Sequence, residues 1–264
     1  PAPGSVSGIA IYHPFEQATK DKEGRSVIDG ISESKSRKEV VFEAGRFGKA
    51  VRLTGEYDEI SLGGIGTYEA YEAFSAGAWI NTSKRKKDHL QTILGNTGQK
   101  NNFWRGWDFE LKSTNQVSLR LIHSLPDNYI EVTTLDSVRV NEWTHIMFTY
   151  DGSMKAKGVK LYINGLEAET DVVFDDLFKS IYPIRVGDHT PDDRPLRVGR
   201  SYRAHTGEFG LYKGLLDELK IYNRELTALE VLQVSQIGLT PNDKLIRGHH
   251  LATHPDIEQQ KATL

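Results

Sequence analysis

Along most of the chain apolar positions recur with a period of two. "KAVRL", "WDFELK", "VSLRLIH", "NYIEVTT" and "VKLYI" are short runs rich in β-branched or aromatic residues, bounded by Gly, Asn, Asp or Pro. "GIAIY", "YDEISL", "AFSAGAWI", "WTHIMFTY", "LEAET" and "LLDELKIYN" extend the set. Such runs predict strands joined by turns. "NEWTHIMFTYDG" is the exception to simple alternation. Trp143, His145 and Met147 fall on one side of it, and Ile146, Phe148 and Tyr150 on the other. Side chains alternate along a strand, so this strand needs cover on both faces. Many short strands at close spacing, without strand–helix alternation, predict an all-β antiparallel sandwich or barrel.

Two local signals are specific. Asn164-Gly165 separates two strand-like runs in "VKLYINGLEAET", and this pair best tolerates the positive φ of a type I′ hairpin turn. Thr227 precedes Glu230 by three residues in "LTALEVLQVSQ", the spacing of a capping box that opens a helix. This helix is expected to cover one end or edge of the sandwich. After about Gly238 the strand pattern stops. Residues 1–238 therefore read as one domain, and 239–264 as a linker or the start of a following helical segment, with Pro255 in helix-start position.

Composition narrows the function classes. Hydrophobic residues make up 38% and charged residues 26% of the 264 residues, enough for a core. The formal net charge is −3 and the pI about 6.3, without the basic excess of a nucleic-acid binder. With no cysteine, disulfides, thiolate metal sites and a Cys nucleophile are excluded. No apolar run is long enough to span a bilayer, so direct membrane insertion is not expected. "PAPGSVSGIAIYHPF" lacks the basic and apolar regions of a signal peptide. The expectation is a cytosolic chain or a piece of a longer exported protein.

The chemistry-bearing candidates are few. In "KGLLDELKIYNREL", strict alternation puts Asp217 on one face with Leu215, Leu219 and Ile221. A buried carboxylate needs a partner, because leaving one unpaired costs about 3–5 kcal/mol. Three partners compete: Ca²⁺ with Glu16 and Asp21 as co-ligands, a buried Arg, or backbone N–H groups. In "NNFWRGWDFELK", Trp104 and Trp107 flank Arg105. Exposed indoles stack on sugar rings and Arg supplies a planar donor fork; the competing reading packs Trp107 in the core and Trp104 over its end. The stretch from Val186 to Gly214 carries Arg194, Arg197, Arg200 and Arg203, with His189, Tyr202 and His205. It is either a loop that holds an anionic or hydroxyl-rich ligand, or a solvated loop with local ion pairs. "SKRKKD" at 83–88 reads as a solvated loop, His249, His250 and His254 as linker composition, and His123 and His145 as single strand histidines. There is no G-x-S-x-G, P-loop or G-x-G-x-x-G. A glucanase strand of the form Glu-x-Asp-x-(x)-Glu is not found either.

Taken in order, "EAGRFGKAVRLTGEYDEISL", "FSAGAWINTS", "NEWTHIMFTYDGS", "GVKLYINGLEAE", "LRVGRS" and "GLLDELKIYNRELTALEV" resemble the bacterial laminin-G-like (LamG, concanavalin A-like) jelly-roll domains, over roughly residues 8–238. "SLRLIHSLPDNYIEV" followed by "YDGSMKAKGVKLYING" resembles more narrowly the modules of large exported planctomycete proteins with cytochrome-c-like segments. The resemblance implies two curved antiparallel sheets packed face to face, with Trp143 and Phe148 among the core anchors. It implies a structural Ca²⁺ near the sheet edge, at the Asp of "GLLDEL". It also implies a noncatalytic lectin-like module of an extracellular or periplasmic protein. No sugar-binding set of the family maps onto this sequence residue by residue; the loop aromatics and cations themselves, Trp104, Arg105, Trp107, Tyr202, Arg203 and His205, are the residues expected to bind a polysaccharide or glycan. Docking onto neighbouring domains of a longer chain is the alternative expectation, and a glycoside hydrolase of the same fold a third.

Overall fold

The computed structural model describes residues 6–31, 34–36, 39–56, 60–84, 89–98, 103–183, 194–201 and 210–254. Within them the alternating runs form two stacked sheets, the sandwich of the two all-β forms their patterning predicts and the one the LamG resemblance implies. The first has eight strands. Its order is Leu166–Glu167, Val159–Ile163, Trp143–Tyr150, Phe74–Thr82, Lys213–Tyr222, Lys49–Thr54 and Val41–Ala44, with Ile9–His13 also paired to Lys213–Tyr222. The second has eleven, running from the edge strand Thr170–Asp175 through Asn128–Ser137, Gln116–Ser124, Gly106–Leu111 and Gln91–Gly95 to short strands ending at Ala18–Lys20. Its pairings are antiparallel except for Gly210–Leu211, which lies parallel to Gln91–Gly95.

The dry interior lies between the sheets. Phe74 is its aromatic centre, stacked on Tyr68 at 4.1 Å and edge-on to Phe148 and Tyr150 at 5.3 and 5.9 Å. Trp107 packs against Phe74 and Phe148. Its indole N–H donates to the Gly66 carbonyl at 2.8 Å, so the one polar atom of the buried ring is satisfied.

The strand Trp143–Tyr150 is dry on both sides for two different reasons. Ile146, Phe148 and Tyr150 enter the intersheet core. His145, Met147 and Thr149 lie on the outer face of the first sheet and are also buried. A helix, α1 (Ala228–Ser235), closes this face by packing Val231 and Val234 with Met147, Tyr162 and Tyr222. Its start is the expected capping box, with Thr227 and Glu230 reciprocally bonded. Trp143 is only half-buried, so it is not the core anchor expected; it lies at the strand end beyond the helix. The hairpin turn at Asn164-Gly165 has φ of 52° and 74°, and the Asn164 carboxamide oxygen accepts from the His145 N–H at 3.0 Å.

Beyond Gly238, where a linker or the start of a helical segment was expected, a second helix forms, α2 (Asp243–Thr253), capped by Asn242. It rests on α1, with Thr227 Oγ1 2.9 Å from His249 Nδ1. The helix start expected at Pro255 falls outside the described residues.

Candidate functional site

The outer face of the second sheet is built from residues that the core leaves over. In the strand Gly106–Leu111, Trp107, Phe109 and Leu111 point into the core. By alternation Asp108 and Glu110 point out. Directly paired residues share a face, and the registers extend that face across five strands. One row reads Glu131, Arg120, Asp108, Gly95 and Arg197. The next reads Thr133, Ser118, Glu110 and Thr92.

Charges of opposite sign alternate in this array. Arg120 Nε lies 3.0 Å from Glu131 and 3.2 Å from Glu110, and Lys112 pairs with Glu131. Thr97 Oγ1 donates to the Asp108 carboxylate at 2.9 Å. Gly95 is required, because a Cβ there would overlap Asp108 Oδ1. Burial pushes the Glu131 carboxyl up, but Arg120 and Lys112 outweigh it and hold it below the usual range. The ladder is little exposed: Asp108 1%, Glu110 0% and Glu131 4%, with Arg194, Arg197 and Arg200 also buried. It is a fixed array of donors and acceptors, not a groove paved with aromatics.

The expected ligand residues fall elsewhere. Trp107 is in the core, and Trp104, at φ 64°, is buried too; neither ring face is available to stack on a sugar. The core claims them because indoles bury large apolar area. Arg105 is half-buried beside the second sheet, its Nε donating to the His123 carbonyl at 3.4 Å. Tyr202, Arg203, His205 and His189 lie outside the described residues.

Asp217 lies on the other sheet, and not on its core face. A bulge between Asp217 and Lys220, with Glu218 at φ 52°, breaks the alternation. Leu216, Leu219 and Ile221 therefore face the core, and Asp217 pairs with Trp79 on the outer face. Its Oδ2 accepts from the Phe47 N–H at 2.9 Å, so backbone amide is the partner observed. Its Oδ1, fully buried, has no hydrogen-bond partner. Burial, followed by the neighbouring Glu218 charge, pushes this carboxyl up to about 7 against the pull of the Phe47 amide. Glu16 grips the far side of the same turn, accepting from the Lys49 N–H at 3.1 Å. Asp21 is taken by Arg25 at 2.7 Å. Among the described residues no three His or acidic side chains converge on a metal-sized site. The expected trio is thus not assembled, although the orphaned Asp217 Oδ1 fits a hard cation.

A family model described as the concanavalin A-like lectin/glucanases superfamily matches residues 54–232, more than half of the chain. The chain belongs to this superfamily. No curated protein matches it in sequence. Among solved structures, this superfamily member is similar to the binding domain of Paraclostridial Mosquitocidal Protein 1, at 16% identity and TM-score 0.57, covering 86% of this chain and 52% of that one. It is also similar to domain 4 of AbnA, a GH43 extracellular arabinanase from Geobacillus stearothermophilus, in complex with arabinotriose. Identity there is 21% and TM-score 0.51, over 86% and 98% of the two chains. A third is the Ruminococcus gnavus IT-sialidase CBM40 bound to alpha2,3 sialyllactose, at 17% and 0.50, over 70% and 96%. At these identities the likeness is one of fold. The chain spans about half the length of the toxin domain it matches.

Proposed function

We propose that this protein is a noncatalytic carbohydrate-binding module of a larger exported protein. The observation that carries the reading is the ion-paired array on the outer face of the second sheet. The array is nearly closed to solvent; its partly exposed members, Lys112 and Arg120 with side chains 21% and 13% exposed, are the donors it offers to sugar hydroxyls. Two fold neighbours, whose names record bound arabinotriose and sialyllactose, support the ligand class. A glycosidase needs one carboxyl raised to act as an acid. Glu131 is held low and shared between Arg120 and Lys112, and the one raised carboxyl among the described residues, Asp217, is fully buried on the other sheet; both support the noncatalytic reading. The setting in a planctomycete-type protein with cytochrome-c-like segments, and an extracellular or periplasmic location, belong to the same proposal.

The test is a glycan array followed by titration with neutral and sulfated polysaccharides. Binding by the wild type, weakened at least tenfold in Lys112→Ala, is expected; silence across both classes overturns the reading. The alternative, docking onto protein, is favoured by the second sheet's outermost strand Thr170–Asp175. Val172 and Val173 are half-exposed there, at 51% and 50%, and an edge unpaired among the described residues invites another strand.

We further propose a structural Ca²⁺ ion at Asp217, with Glu16 on the same turn. Calcium bound there supplies charge neutralisation to a buried carboxylate. Added Ca²⁺ should raise the thermal midpoint of the wild type at pH 8 and leave Asp217→Asn unmoved; equal responses would remove the site.

A further inference from the structure

α1 covers only part of the first sheet's outer face. Past its cover, the register sets Trp143, Asn81, Leu215, Arg52 and Val41 in one row across five strands. A cleft of about 240 Å³ opens on this row, with Leu215 and Leu53 as its apolar part. Gly214, at φ 153°, lets its strand approach the neighbouring one closely, because a Cβ there would run into the Asn81 carbonyl.

The polar groups around this cleft are unspent. The carboxamides of Asn81 and Asn141, the Ser83 hydroxyl and the Lys213 ammonium all line it. None has a side-chain hydrogen-bond partner among the described residues, although their backbones are held. Asn141 N–H donates to the Thr82 carbonyl at 2.8 Å, Ser83 N–H to the Lys213 carbonyl at 2.9 Å, and Lys213 N–H to Gln91 at 2.8 Å. Arg52 is paired with Glu43, so among the described residues Lys213 leaves the cleft with one uncompensated positive charge. Half-buried Trp143 stands next to Asn81 in the row.

These groups define a ligand chemistry. Carboxamides both donate and accept, as sugar hydroxyls do. Trp143, half-buried next to Asn81 in the same row, is the neighbouring aromatic against which a sugar ring bound there would pack. A lone ammonium selects a carboxylate. We propose that the cleft binds an acidic saccharide unit, a uronic acid residue of a glycan, on the sheet opposite the ion-paired ladder. The ligand class follows the module reading above, but the surface is separate from it.

The experiment is a titration of the full chain with oligogalacturonate, and with the matching neutral oligosaccharide, followed by amide and side-chain NH₂ resonances. The Asn81 and Asn141 carboxamide signals and the Trp143 indole should shift, with the acidic ligand binding at least tenfold tighter. Lys213→Ala should erase that preference. Asn141→Gly, which preserves the left-handed φ of 59°, combined with Ser83→Ala, should weaken binding at least tenfold with unfolding midpoint unchanged. Binding lost in Lys112→Ala but intact in these variants would overturn the cleft and leave the ladder reading standing. Equal affinity for both sugars would overturn the acidic assignment, and silence to both would overturn the cleft altogether.

Discussion

Asp217 concentrates the chemistry of the first sheet in one side chain. Its carboxyl is fully buried and titrates near 7, against an ordinary 3.8. A carboxyl raised in the folded state favours the protonated form there. Its contribution to stability is therefore complete below pH 3.8 and is lost as pH rises through about 7. With divalent ions chelated, the urea midpoint should fall between pH 5 and pH 8. Asp217→Asn should flatten that slope; an unchanged slope would show that another group sets it. The nearby His145 is the opposite case. Burial, with Lys220 adding to it, pushes its imidazole down to about 3, so it stays neutral across the working range and acts as packing against Trp79 at 5.6 Å.

Among the elements, α1 does most to make the first sheet tolerable to water. It is eight residues long, too short to hold itself together alone, and depends on its cap and on the apolar row beneath. Thr227→Ala removes the side-chain oxygen that accepts from the Glu230 N–H and the contact to His249. A loss of about 1 kcal/mol by chemical denaturation is expected, with α2 loosened in parallel by hydrogen exchange. Loss of the cap without effect would mean that tertiary packing alone sets the helix start. The other notable element is the strand Lys213–Tyr222. It is flanked on one edge first by Lys49–Thr54 and then by Ile9–His13, and its bulge falls between the two pairings. That break turns Asp217 away from the core and Glu218 towards Tyr12 at 2.8 Å.

For the whole molecule, the two sheets divide their roles. The interface between them is apolar, and the two outer faces carry different polar systems. The second sheet spends its polar groups on one another, in a ladder from Glu131 to Arg197. The first is closed by α1 at one end and, among the described residues, keeps free carboxamides at the other. Arg120 is the ladder's hub, touching both Glu110 and Glu131. Arg120→Ala would leave buried carboxylates with fewer partners and should cost about 3–5 kcal/mol. A change below 1 kcal/mol by urea denaturation would show that water enters the ladder freely.

What the chain's order of residues determines is local. The hairpin at Asn164-Gly165, the capping box at Thr227 and Glu230, and the long alternating strands are readable because each is set by neighbours a few residues apart. Their number leads to an antiparallel sandwich or barrel, and the resemblance to the LamG domains narrows that to two packed sheets. The acids at 108 and 110 are the polar half of "WDFEL", but alternation gives only their shared face and not the Arg120 set across from Asp108. Tertiary structure decided the rest. Short strands such as Ser34–Ser36 and Gln91–Gly95 exist because partners distant in sequence pair with them. The bulge at Asp217 reversed its face, since alternation holds only while a ladder is unbroken. Whether Trp104, Trp107 and Trp143 meet core or solvent depends on what lies across from each, and periodicity carries no information about the opposite layer.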